Sequence, residues 1–300
     1  MTKLKLGVTV PQFTTEPGPV VDAAVRAEAL GLDSVWVFDH CWPLSGGKER
    51  PALEAWTTLA YLAAATNRIG IGTLVTRSTL RQPAVLAKMA ATVAEIAPGR
   101  VTVGLGSGDE QSRSENEAFG VPYFAGARRV AQMVSCAEVL HAAWHEPPVT
   151  QHDDFVAIDG LEMLPPPPVP PRLWLAGRSE GIIAAAGRLA DGWNGWGGDA
   201  RGLARDAERV AAAAAGRAVE ITWAGLVILG ADEAEARRKL GSRDPSSYIW
   251  GDPTTVAEAL AARHRAGATH IVVTFPNARD PSAYALLAEA VRPQLSGAAF

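Results

Sequence analysis

Short runs of β-branched and apolar residues alternate with longer stretches rich in Ala and Leu along almost the whole chain, and about eight such pairs can be marked. No other feature constrains the fold as much, because a strand followed by a crossover helix is the repeating unit of a parallel sheet. The strand-like runs fall at 4–10, 34–38, 69–75, 101–106, 172–176, 192–196, 221–229 and 271–275. Helical periodicity covers 20–30, 52–66, 83–97 and 127–144. Gly31 is placed to end the first helix in the left-handed conformation, and Pro98-Gly99-Arg100 turns the chain into the fourth run. The segment from His145 to Pro171 breaks the period, and its Pro165–Pro168 run can be neither helix nor central strand. The expected fold class is α/β, a single (β/α)8 TIM barrel over residues 1–300 with a Pro-rich insertion between its fourth and fifth strands. An open doubly wound sheet shares the same periodicity, since both arrangements bury their strands on both faces.

In a barrel the chemistry sits where strands end, so the polar residues just after each apolar run are the ones to read. The second run ends in Asp39-His40-Cys41-Trp42, bringing a carboxylate, an imidazole and an indole to one position. His40 is the acid/base candidate because its charge changes near neutral pH. At the end of the third run stand Thr73 and Thr76, whose hydroxyls suit a heterocycle, with Leu74 between them. After the fourth come Gly106-Ser107-Gly108, which permit close backbone approach, and then the acids Asp109 and Glu110. Their GxGxG spacing lacks the third glycine and the later acid of a dinucleotide fingerprint. Ala176-Gly177-Arg178-Ser179 precedes a helix beginning near Glu180, which suits a phosphate clamp and equally an ordinary N-cap at Ser179. Trp193 and Trp196 are candidates, with Trp42, for the wall against a substrate.

Composition narrows the partners. With 28 basic against 32 acidic residues the formal charge is −4, so no cationic surface attracts nucleic acid or an anionic membrane. No apolar run is long enough to span a bilayer, and the N-terminal segment reads as a strand, so a cytoplasmic location and a small-molecule substrate are expected. Cys41 and Cys136 are expected to be free thiols. His141 and His145 share a helix face without a catalytic Glu between them, and no metal site is expected.

Five stretches in order are similar to the luciferase-like monooxygenase family, particularly its branch using coenzyme F420. They are Gly31-Leu32-Asp33-Ser34-Val35-Trp36-Val37-Phe38-Asp39-His40, Thr66-Asn67-Arg68-Ile69, Gln82-Pro83-Ala84-Val85-Leu86-Ala87-Lys88, Gly99-Arg100-Val101-Thr102-Val103-Gly104-Leu105-Gly106, and Ala190-Asp191-Gly192-Trp193. The resemblance implies a barrel in which the Pro-rich insertion forms a lid over the cofactor. It implies that Asp39 contacts the deazaflavin ring and His40 faces the substrate, that Thr73 and Thr76 touch the ring or ribityl chain, and that Gly106, Ser107 and Gly108 flank the ring. A non-prolyl cis peptide near Thr73-Leu74 and an acid, Asp109 or Glu110, reaching the substrate are further implications. A sugar phosphate is not expected as substrate, because Pro11-Gln12-Phe13-Thr14 lacks the acid that sugar-phosphate dehydrogenases of the family carry there. The expected activity is F420-dependent hydride transfer to or from a small organic molecule, in a homodimer. An FMN-dependent monooxygenase and a flavin-binding barrel without turnover are the alternatives.

Overall fold

A computed structural model describes residues 3–43 and 47–297. Its strands are β1 (Lys5–Thr9), β2 (Ser34–Val37), β3 (Gly70–Arg77), β4 (Val101–Gly106), β5 (Val149–His152), β6 (Ala157–Leu161), β7 (Arg172–Ala176), β8 (Gly192–Trp196), β9 (Glu220–Leu229), β10 (Ile249–Gly251) and β11 (His270–Thr274). The helices are α1 (Gly18–Ala29), α2 (Ala55–Ala65), α3 (Pro83–Ile96), α4 (Arg113–Ala118), α5 (Gly126–His145), α6 (Glu180–Leu189), α7 (Ala200–Ala214), α8 (Glu233–Leu240) and α9 (Pro253–Arg265), followed by a helical run over 281–297 that includes a π-helical turn. Parallel pairing runs β9-β11-β1-β2-β3-β4-β7-β8, and β8 returns to β9, so the cylinder is closed. β10 adds a short parallel strand to the outer end of β9.

The closed cylinder is filled by the side chains that alternate inward. Trp36, Leu74, Trp174, Ala224 and Val272 fill the interior, with the Trp36 and Trp174 rings stacked at 4.7 Å. Rings of that size need gaps in neighbouring strands, and glycines supply them: a Cβ on Gly72 would lie 2.5 Å from the Trp36 ring, and one on Gly192 2.6 Å from that of Trp174. At the N-terminal end, Ser34 Oγ accepts from Trp36 Nε1 and lies 2.7 Å from His270 Nε2. Burial pushes the His270 pKa down to about 3, so the ring is a neutral packing group. The opposite strand faces, including Val35, Val103, Leu173, Trp193 and Val273, pack against the helices as a continuous outer shell.

Four of the five family-like stretches prove to contain joints of this scaffold. Glu28 on α1 accepts from the amides of Asn67, Arg68 and Ile69, which turns the chain into β3. Arg100 reaches the Thr66 hydroxyl at 2.8 Å and the carbonyls of Ala63 and Ile69. Asp33 and Asp191 repeat one device, each standing just before a strand and accepting the amide of its neighbour, from Leu6 at 2.7 Å and from Leu173 at 2.8 Å.

The excursion between β4 and β7 contains α4, α5 and the antiparallel β5–β6 hairpin, the last unmarked in the sequence because its strands lack an apolar face. Asp153 in the hairpin accepts from Ser135 on α5 at 2.7 Å, and Phe155 meets Phe124 edge-on. A groove lined by α5, Asp153–Phe155 and Gly181 separates the hairpin tip from α6. The Pro-rich segment leads into β7, with Lys88 on α3 donating to the Leu164 carbonyl, and it is not among the residues lining the cavity described next.

Candidate active site

A cavity of about 660 Å³ opens at the C-terminal ends of β1, β2, β8, β9 and β11, where Thr9, Phe38, Trp196, Leu226 and Thr274 line it. Its volume is that of a small-ligand site. Phe13 and Phe38 stack within it at 6.0 Å with planes 6° apart, and Trp196 meets Phe38 edge-on at 6.1 Å. The Phe38 peptide is fixed from both sides by Gln12, whose side chain accepts its N–H and donates to its carbonyl at 2.6 Å. Gln12 therefore fills the place where an acid was missed in the sequence, as a brace for the aromatic wall.

His40 lines the same cavity. Its Nδ1 lies 3.0 Å from Glu115 Oε2, while Glu115 Oε1 accepts the Cys41 amide. Glu115 is wholly buried, and Arg77 Nη2 stands 3.1 Å from its Oε2 in ion-pair contact. Burial opposes ionisation of Glu115, yet the hydrogen bonds from His40 and Cys41 and the charge of Arg77 outweigh it and hold the carboxyl below the ordinary glutamate value. An ionised partner at Nδ1 places the proton there and leaves Nε2 as the basic nitrogen. Arg77 is itself held by Asn116 at 2.9 Å and by the Asp39 carbonyl at 3.1 Å. Neighbouring Cys41 is no nucleophile, since burial and the charges of Glu115 and Asp39 push its thiol up to about 11.

Several expected residues take other duties. Asp39 is buried, accepts the Arg77 amide at 3.0 Å and makes a two-pronged contact with Arg81 at 2.8 and 3.0 Å, so it locks β2 to the end of β3 and does not line the cavity. Asp109 is drawn into a local turn by the Ser112 amide and hydroxyl, at 3.0 and 2.9 Å. Glu110 is exposed and pairs with Arg113 and Tyr123. The acid on His40 is thus Glu115, carried by α4, in place of Asp109 or Glu110. Trp42 lies against Phe119 and Lys48 outside the cavity lining. Trp193 is wholly buried in the outer shell and donates to the Gly177 carbonyl at 2.7 Å, so of the two tryptophans on β8 the inward-facing Trp196 lines the mouth.

Around the β3 end, a non-prolyl cis peptide joins Leu74 and Val75, one bond beyond the expected position, and the pairing with β4 shifts register between Thr73 and Thr76. Thr73 and Thr76 are buried, Thr76 donating to Thr73 at 2.8 Å and Thr73 to the Gly104 carbonyl at 2.9 Å, so their hydroxyls support the bulge. Val75 projects from it over Gly106, where a Cβ would come within 2.4 Å of the valine. Ser107 and Gly108 follow on the partly exposed rim, Gly108 at a φ of 70°. On the other flank, Ala176 ends β7, Gly177 has a φ of 135°, and Ser179 is the N-cap of α6 without a capping side-chain bond. Arg178 reaches Asp206 and the Trp196 carbonyl, each at 2.9 Å. His40 and Trp196 are therefore gathered at the cavity, and the residues from β3, β4 and β7 form the adjoining arc of the same rim.

Residues 4–248 match the family described as luciferase-like monooxygenases. The chain belongs to that family. Among relatives of this luciferase-like protein, an F420-dependent glucose-6-phosphate dehydrogenase of Kineococcus radiotolerans is 34% identical over 194 residues, 63% of this chain and 56% of the relative. An F420-dependent hydroxymycolic acid dehydrogenase of Mycobacterium tuberculosis is 31% identical over 207 residues, 68% of this chain and 54% of the relative. The chain thus spans little more than half the length of these relatives. An F420-dependent secondary alcohol dehydrogenase, solved with an F420–acetone adduct, superposes with a TM-score of 0.84 at 21% identity, covering 98% of this chain and 99% of its own. A monooxygenase from Streptomyces bottropensis superposes at 0.81, also at 21% identity, covering 97% and 99%. These likenesses establish the closed luciferase-like barrel.

Proposed function

We propose that the protein is an F420-dependent oxidoreductase that moves a hydride between the deazaflavin and a small organic substrate at the barrel mouth. One observation carries the reading: His40 lines the cavity with its Nδ1 bound to the buried Glu115, the arrangement that keeps Nε2 ready to exchange a proton with a substrate oxygen. Support comes also from the F420-dependent relatives.

The residues present suit a flat tricyclic coenzyme. The Val75 bulge offers an apolar support at the rim, the backbone of Gly106-Ser107-Gly108 leaves room for a ring edge, and the unbonded Ser179 side chain, the first amides of α6 and Arg178 suit a phosphate. A ring on that arc leaves the aromatic cavity beside His40 for the substrate. When bound, the deazaflavin supplies a carbon that accepts or gives a hydride, which restricts the chemistry to two-electron steps. The protein's own work is to orient the substrate against the Phe38 wall, to hold or release the proton at His40 Nε2, and through Glu115 and Arg77 to keep the imidazole in one tautomer.

Anaerobic turnover, followed as the change in F420 absorbance over a panel of alcohols and their carbonyl counterparts, tests this. The wild type should turn over at least one pair, and His40→Ala should lower kcat by about 10²–10⁴ with F420 still bound. Turnover that is independent of His40, or that requires FMN and oxygen, would reverse the proposal.

A further inference from the structure

Thr9, Leu226 and Thr274 line the cavity beside His40 at one level of the barrel. Leu226 on β9 pairs with Thr274 on β11, and Val273 pairs with Val8, which brings Thr9 on β1 level with Thr274. Thr274 ends β11 on the face that carries interior Val272, is only 7% exposed, and its Oγ1 is buried without a hydrogen-bond partner. Buried polar groups are ordinarily paired, so an unpaired hydroxyl on a cavity wall marks a place where a ligand oxygen completes the bonding. Arg243 and Arg279 line the cavity from the loops beyond α8 and β11, tied to the Lys239 and Leu240 carbonyls and to the Thr14 hydroxyl. The level of Thr274 itself is uncharged, which suits a neutral oxygen.

A second observation concerns the space between Thr274 and the mouth. Thr9 pairs with Trp36, so Phe38 and His40 follow two and four positions nearer the mouth along the second strand. There Phe13 and Phe38 present faces only 6° from parallel, and Trp196, edge-on to Phe38, is left 42% exposed. So much indole surface open at a cavity mouth favours a flat ring laid against it. Around the barrel, β1 separates the strands that carry Thr274 and His40, two strand spacings of about 10 Å in all. A molecule that touches both has about the length of two fused rings with a hydrogen bond at each end.

We infer that the substrate is a flat molecule of two or more fused rings, aromatic or partly reduced, with its reacting carbon at His40 and a second, uncharged oxygen bound by Thr274. This deepens the hydride-transfer reading and rests on it for the molecule's role as substrate. Thr274 then sets which fused-ring molecule is accepted, and the aromatic wall sets its flatness.

The test is calorimetric titration of the full chain, alone and saturated with F420, with 2-naphthol and with 2,6-naphthalenediol, which adds only the second oxygen. Wild type should bind the diol about fivefold or more tighter than the naphthol in both states. Thr274→Val keeps the shape and removes the hydroxyl, so it should abolish that preference with a urea midpoint unchanged or raised, whereas Thr274→Ser should keep the preference. Trp196→Ala should weaken both ligands by about tenfold. Equal affinity of wild type for the two, no saturable binding of either, or Trp196→Ala binding both as wild type does would overturn the inference. So would a Thr274→Val chain that retains the preference, or one whose urea midpoint falls, since its hydroxyl already had a partner. Displacement of both ligands by F420 would also overturn it, by giving the aromatic wall to the coenzyme. A protein that shows the Thr274-dependent preference yet never binds F420 would instead remove the hydride-transfer reading alone.

Discussion

In the proposed reaction Glu115 is the residue on which His40 depends, and it stands near two acids that are engaged elsewhere, Asp109 with Ser112 and Glu110 with Arg113. With Glu115→Gln the imidazole loses its charged acceptor and both tautomers become accessible, so kcat should fall by about tenfold to a hundredfold with little change in KM. Stability should respond as well, because Arg77 is left buried beside a neutral group, at a cost of about 3 kcal/mol. The sign of the pH dependence follows from the lowered pKa of Glu115: its contribution is complete above the ordinary glutamate range and is lost as pH falls through the lower folded value. Urea midpoints measured across the acid range should show that loss in wild type and not in the variant. The place of His40 at the cavity was legible because it comes three residues after the end of β2. Glu115 was not, because α4 has only six residues and too few turns to show a period, so Asp109 and Glu110, nearer the strand end, drew the assignment. Asp39 misled for a different reason, since a carboxylate at a strand end reads alike whether it meets a ligand or, as here, Arg81.

Among the elements, β3 and β4 carry the geometry that sets the arc beside the cavity. The register shift between them puts the Thr73 carbonyl and the Val75 side chain where β4 side chains would stand, so glycine at 104 and 106 is required by the sheet before any ligand is considered. A Cβ on Gly104 would lie 2.3 Å from the Thr73 main-chain oxygen, which no rotamer can relieve. Gly104→Ala should therefore cost about 1–3 kcal/mol or more. By contrast Gly18→Ala, with nothing within 4 Å, should shift stability by less than about 0.5 kcal/mol, both read from chemical denaturation. The bounds of β4, β7 and β8 stand as the sequence places them, because β-branched or aromatic residues are closed off by Gly or Pro at their ends. Orientation was harder: in β8, with glycines at both 192 and 195, the alternation that sends Trp193 outward and Trp196 inward is masked. β10, three residues long, gives no periodic signal at all.

At the scale of the molecule, periodicity left a closed barrel and an open sheet equivalent, and what separates them is the pairing of β8 with β9, a contact that no local pattern encodes. Closure gathers strand ends that are far apart in sequence, so Phe13, His40, Trp196 and Thr274 share one cavity while Val75, Gly106 and Arg178 mark the neighbouring arc. The family resemblance supplied the closed form because its motifs include joints of the scaffold, such as Arg100 and Asp191, as well as the residues near His40. The central claim is that this rim holds a deazaflavin beside a substrate cavity. Equilibrium fluorescence titration of the purified protein with F420 and, separately, with FMN tests it most directly. The account predicts one saturable F420 site, with FMN bound at least about tenfold more weakly; tight FMN binding with no measurable affinity for F420 would contradict it.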